Sequence, residues 1–226
     1  MAKSKTITTD DILVVLCNSI KSVLIKATDH PINYSAMVQK INKTCLKPDI
    51  GCFVLFDGGF SGLVIINFSA ESAMEIYSNY MIHMGMPENE LAKSHTSDEV
   101  SDIMGELMNQ IVGDFTSVIG HELHTSITQS QPKMLTINKQ VMLSIDTNLD
   151  RPQARRVTFM TEKNNIFYLE LAMDKTEFIK LPNFEEREAF DADMILEQEK
   201  NTKNIVEKSA PSTSTTDQDL LDELGI

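Results

Sequence analysis

Apolar and polar positions follow two different periods along this chain. Apolar residues recur at helical spacing through Ile25, behind an N-cap cluster of Thr9, Asp10 and Asp11. A first helix is predicted there. Residues 31–41 and 50–56 read as strands. Asp57-Gly58-Gly59 supplies a turn, and residues 60–68 read as the returning strand. Ser69 then caps a second predicted helix over residues 70–84, and Pro87 closes that unit. Thr96 or Ser97 opens a third helix running to about Ile119, with Gly120 expected at its end. Short β-like runs follow at 134–137, 141–145, 157–161 and 166–171, with Lys163-Asn164-Asn165 as a hairpin turn between the last two. This order predicts an α/β (α+β) domain, a β-sheet with long helices packed against it.

The pattern changes near Leu181-Pro182, so a domain is expected over residues 1–182. Residues 183–208 begin with an acidic, helix-like stretch. Residues 209–216 are a Ser/Thr-rich flexible linker, and residues 217–226 turn apolar again.

The third helix holds the most informative pattern. At about 100° per residue, Val100, Met104, Leu107, Ile111, Phe115 and Val118 form one apolar stripe that must face the core. Asp102, Glu106, Asn109 and Gly113 fall on the opposite side, within roughly 60° of one another. Glu106 and Asn109 are three residues apart and project side by side. Asn is a mediocre helix former. A helix-interior Gly costs about 1 kcal/mol relative to Ala, but it allows close approach from outside. The face reads as a contact surface. Taken alone, the Glu/Asn pair is more often an ordinary solvated face, and Glu162 and Asn165 repeat its spacing in the hairpin turn.

Charge narrows the partners. The chain has 226 residues, 42% of them apolar, and a formal net charge of −13. Nucleic acid and anionic membrane surfaces would repel it. The N-terminus lacks an apolar leader, and the longest apolar run, residues 63–68, is strand-sized. Cys17, Cys45 and Cys52 sit among apolar neighbours, as buried reduced thiols do. A cytoplasmic protein is expected. His121-Glu122-Leu123-His124 has the wrong spacing for a zinc-protease helix, so no metal site is expected. Arg151, Arg155 and Arg156 beside Pro152 read as a solvated loop ahead of an anion site.

Gly105-Glu106-Leu107-Met108-Asn109-Gln110-Ile111-Val112-Gly113 resembles the catalytic Glu-x-x-Asn helix of the CheC/CheX/FliY phosphatase family. Residues 62–74 resemble that family's strand and capped helix. The first helix carries Val15 three residues before Asn18, so no second motif forms, and the chain is similar to the single-site CheX type. The resemblance implies a CheX-like domain, commonly paired as a homodimer. It also implies a phosphorylated CheY-type receiver as substrate, in chemotaxis or two-component signalling. Asn109 would orient the attacking water, and Glu106 would pair with the receiver's phosphate-site lysine. Mg²⁺ would sit in the receiver's own site, so this chain needs no cofactor.

The last residues, from Asp217 through Leu220, Leu221 and Leu224 to Ile226, resemble the CheY-binding C-terminal helix of CheZ. A segment this short is not a stable helix alone. Helix-in-groove capture of the receiver is its most economical role, and docking back on its own domain is the alternative. For the whole chain, the rival is a non-enzymatic adaptor for a receiver or a flagellar switch component.

Overall fold

The computed structural model describes residues 6–149 and 151–179. Its elements, in chain order, are β1 (Thr6–Thr8), α1 (Thr9–Thr28), β2 (Asn33–Tyr34), β3 (Gln39–Ile41), β4 (Thr44–Leu46), β5 (Ile50–Gly58), β6 (Gly62–Phe68), α2 (Ala70–His83) and α3 (Asp98–Leu123). Then come β7 (Ile127–Gln129), β8 (Lys133–Thr136), β9 (Leu143–Ile145), β10 (Pro152–Met160), β11 (Ile166–Asp174) and β12 (Glu177–Ile179). The acidic stretch, the linker and the C-terminal segment with Asp217, Leu220, Leu221 and Leu224 lie outside the described residues.

The main sheet is antiparallel, in the order β2-β10-β11-β6-β5-β7, with β3 also on β10 and β8 also on β5. Alternation along the strands sends one set of side chains toward the helices. Val54 and Phe56 of β5, Val64 and Ile66 of β6, and Leu169 and Leu171 of β11 join Leu16 and Ile20 of α1 and Ile111 and Phe115 of α3 in one core. The opposite set, including Leu63, Ile65, Ala154 and Ala172, is covered by Leu46 and Ile137. Covering on both faces explains why all seven residues of β6 are buried.

The caps follow the side-chain chemistry, with two shifts from the sequence expectation. Thr8, rather than the residues after it, caps α1 in a reciprocal capping box with Asp11. Helix α3 passes through Gly120 and ends at His124, which adopts a left-handed φ of 50°. The chain then folds back, and Thr125 N–H donates to the Gly120 carbonyl at 3.0 Å. A Cβ on Gly120 would lie 3.0 Å from the Thr125 carbonyl oxygen. Gly120 therefore marks a close backbone approach and not the helix end. Ser69 caps α2 as expected, and Asp49 Oδ2 accepts from the Ala70 N–H at 2.8 Å beside it.

The arginine segment is a strand and not a loop. Arg155 is buried and donates to Asp10 Oδ1 at 3.2 Å, which ties β10 to the start of α1. Arg156 pairs on the other face with the fully buried Glu170 at 2.7 Å. Each guanidinium thus has a carboxylate partner, Arg155 the exposed Asp10 and Arg156 the buried Glu170. Residues 31–41, expected as one strand, form two short ones, β2 and β3. The short strands β4, β7 and β12 had no counterpart in the apolar pattern.

Candidate functional site

Helix α3 presents the two faces that its periodicity predicts. Val100, Met104, Leu107, Met108, Ile111, Val112, Phe115 and Ile119 are buried. Val118, expected in the stripe, is 43% exposed. Ile119 takes the inward position instead, since the buried arc is centred nearer Met108 than the stripe implied.

Asp102, Glu106 and Asn109 are exposed on the outer face, and Gly113 is partly so. A Cβ on Gly113 would meet no atom within 4 Å, so the helix surface is open there. Glu106 and Asn109 are close neighbours on that surface, with Cβ atoms about 5–6 Å apart by helix geometry. One carboxylate and one amide thus face solvent on a rod whose reverse side is locked into the core.

Each side chain has a local partner. Gln110 Nε2 donates to Glu106 Oε1 at 2.9 Å. Gln129 of β7 donates from Nε2 to Asn109 Oδ1 at 3.0 Å, with a longer 3.4 Å contact to the Asn109 main-chain carbonyl. Gln129 reaches Asn109 because β7 runs antiparallel to β5, with Gln129 opposite Phe56 and Ile127 opposite Gly58. A Cβ on Gly58 would overlap the Ser126 carbonyl oxygen, so only glycine admits β7 this closely. Nothing in the sequence pattern marked Gln129. Its strand is too short for alternation to show, and its contact with Asn109 is made only by the turn after His124.

The other candidate positions separate cleanly. Asn18 is exposed on α1 and accepts from the Tyr34 hydroxyl at 2.9 Å, with Val15, not an acid, three residues earlier. Glu162 contacts His30 Nδ1 at 2.6 Å, and Asn165 donates to buried Glu75 at 2.7 Å. That second Glu/Asn pair is therefore part of the hairpin's own packing. His121 and His124 have ring centroids 6.3 Å apart, and among the described residues no group of three or more His, Cys, Asp or Glu side chains converges as a metal site would. No described helix is long and apolar enough to cross a membrane.

The family model described as a protein of unknown function (DUF3334) matches residues 3–226. The chain belongs to the DUF3334 family. No curated protein matches it. The fold of this DUF3334 chain is that of the CheX and CheC-like chemotaxis proteins. The chemotaxis protein CheX from Desulfovibrio desulfuricans is 15% identical, with a TM-score of 0.60 over 73% of this chain and 99% of that one. A CheC-like superfamily protein from Shewanella sp. PV-4 is 18% identical, with a TM-score of 0.60 over 73% and 97%. A chain of the CheX–CheY–BeF3–Mg²⁺ complex from Borrelia burgdorferi is 17% identical, with a TM-score of 0.51 over 73% and 99%. The expected CheX-like architecture is thus the observed one.

Proposed function

We propose that this chain binds a phosphorylated CheY-type receiver in the cytoplasm and hydrolyses its aspartyl phosphate. One observation carries the proposal. In a fold shared with CheX proteins, the outward face of α3 holds a carboxylate and an amide, Glu106 and Asn109, side by side beside open helix surface. One solved relative is a complex of CheX with CheY.

The chemistry asked of the pair is positioning. An aspartyl phosphate is already an activated acyl phosphate, and in this proposal the receiver supplies the Mg²⁺. What remains is to hold a water in line with the phosphorus–oxygen bond that breaks. A carboxamide suits that task, because it both donates and accepts hydrogen bonds with no proton to titrate. Asn109 fills that role here. Glu106 anchors the docked receiver through a basic residue beside its phosphate and so fixes the register. The C-terminal segment, residues 217–226, captures the receiver separately and raises its local concentration to the order of millimolar.

The test is the rate of phosphate loss from each phosphorylated receiver of the host, with and without this protein. Acceleration of at least one receiver is expected. Asn109→Ala should lower the catalysed rate by about 100-fold or more while leaving receiver affinity nearly unchanged. Truncation after Thr216 should raise the protein concentration needed for half-maximal rate. No acceleration with any receiver would leave a receiver-binding adaptor as the better description.

A further inference from the structure

We infer that Gln129 is the positioning residue that sets which way the Asn109 amide faces. A free asparagine amide can rotate by half a turn about its last bond, exchanging its acceptor oxygen for its donor nitrogen. On an exposed helix face nothing intrinsic selects between the two. Gln129 supplies the selection in two steps.

The first step is fixed by the helix. The main-chain carbonyl of Asn109 is held by the helix geometry and can only accept. Gln129 Nε2 lies 3.4 Å from it, so the glutamine must turn its nitrogen toward α3. The second step follows from the first. The same Nε2 lies 3.0 Å from the Asn109 side chain, where only an acceptor is compatible. Oδ1 of Asn109 is therefore turned inward, and its N–H2 group is turned outward. Oδ1 keeps a second lone pair beyond the one that Gln129 uses.

Gln129 has no competing reason to adopt this orientation. Its own Oε1 is buried without a hydrogen-bond partner among the described residues. A buried unpaired acceptor is unfavourable by about 1–3 kcal/mol. Among the described residues, the orientation is thus held by the two Asn109 oxygens. Reversing Gln129 would set Oε1 against both of them. The main-chain carbonyl cannot move out of the way, so the side-chain amide cannot simply follow the reversal.

The kinetic consequence rests on the function proposed above. The outward N–H2 and the remaining lone pair of Oδ1 are the groups that orient the attacking water. Disorder in this amide would lower turnover without weakening docking, because docking is assigned to Glu106 and the C-terminal segment.

Two variants and two readouts test the inference. Gln129→Leu removes the donor, and Gln129→Glu puts a carboxylate against the Asn109 oxygens. Each should lower kcat by about tenfold or more, with KM for the receiver changed less than about twofold. In an Asn109→Ala background the Gln129→Leu change should have almost no further effect, since its action runs through that amide. A purely structural role would reduce both backgrounds alike, and that result would overturn the inference, as would wild-type kcat in both single variants. The second readout needs no substrate. In the isolated full-length protein, the Asn109 side-chain N–H2 pair should give an NMR order parameter near the rigid limit, falling below about 0.6 in Gln129→Leu. An unchanged order parameter would overturn the lock. If no receiver is dephosphorylated, the proposed function fails, and the NMR measurement still decides whether Gln129 orders Asn109.

Discussion

Gln110 donates to the Glu106 carboxylate across one turn of α3, Nε2 to Oε1 at 2.9 Å. Among the described residues one carboxylate oxygen is engaged, and the pair is exposed, so the bond orients Glu106 without withdrawing it. Glu106→Gln, which removes the charge but keeps the shape, should weaken binding of a beryllofluoride-activated receiver by about tenfold, the scale of one charge-assisted contact. Gln110→Ala should change the same dissociation constant by less than about threefold. Isothermal titration of both variants checks the two expectations. A larger effect of Gln110→Ala would move the docking contact from Glu106 to Gln110.

Gly113 separates stability from docking. Nothing lies within 4 Å of a Cβ built there, so Gly113→Ala should stabilise the fold by about 1 kcal/mol through helix propensity alone. Gly113→Trp should leave the melting transition near that of the wild type but reduce receiver binding by about tenfold or more. Denaturant titration and binding on the same two variants distinguish an open contact face from an inert one.

Glu75 ties α2 to the hairpin between β10 and β11. Its buried carboxylate accepts from Thr161 Oγ1 at 2.6 Å, Asn165 Nδ2 at 2.7 Å and Lys163 N at 3.1 Å. Glu75→Leu leaves these donors without their acceptor and should destabilise the domain by about 3–5 kcal/mol. Glu75→Gln keeps an acceptor and should lose less. Urea unfolding monitored by circular dichroism measures the difference.

The thiols differ in environment. Cys17 and Cys52 are buried, Cys45 only partly, and all three are free. Burial pushes the Cys17 thiol up to about 12 and raises Cys52 still further. Cys45 should therefore react first with a thiol reagent at pH 8, and the other two mainly on unfolding. The sign of the linked stability follows. Below the unfolded thiol value of about 8.5 both states are protonated and the thiols contribute no pH dependence. Above it the unfolded chain ionises first, so stability falls as pH rises toward 12. Denaturation midpoints measured from pH 7 upward should decrease for this reason.

The elements with long, regular periodicity were legible in the sequence, and short or contact-dependent ones were not. Helix α3 announced itself through Val100, Met104, Leu107 and Ile111, and its outward face through Glu106 and Asn109. The end of α3 was misplaced because Gly120 is a common helix terminator, yet here it lies in the last turn, and the left-handed residue that ends the helix is His124, with the Thr125 N–H closing on the Gly120 carbonyl. The arginine cluster was misplaced because charge beside proline resembles a loop. Its carboxylate partners, Asp10 and Glu170, are distant in sequence or across a strand pair. Half of the candidate site's hydrogen bonding was hidden for the same reason. Glu106 meets Gln110 within one helix, while Asn109 meets Gln129 only because Gly58 lets β7 approach.

Because α3 carries Glu106 and Asn109 on one continuous rod from Asp98 to Leu123, no outside contact sets the interval between them. Substitutions elsewhere can accumulate without altering it. A single inserted residue between the two is different. It would rotate everything beyond by about 100°, carrying either the amide or the apolar stripe to the wrong side. The site is thus tolerant of changes in spelling and intolerant of changes in length.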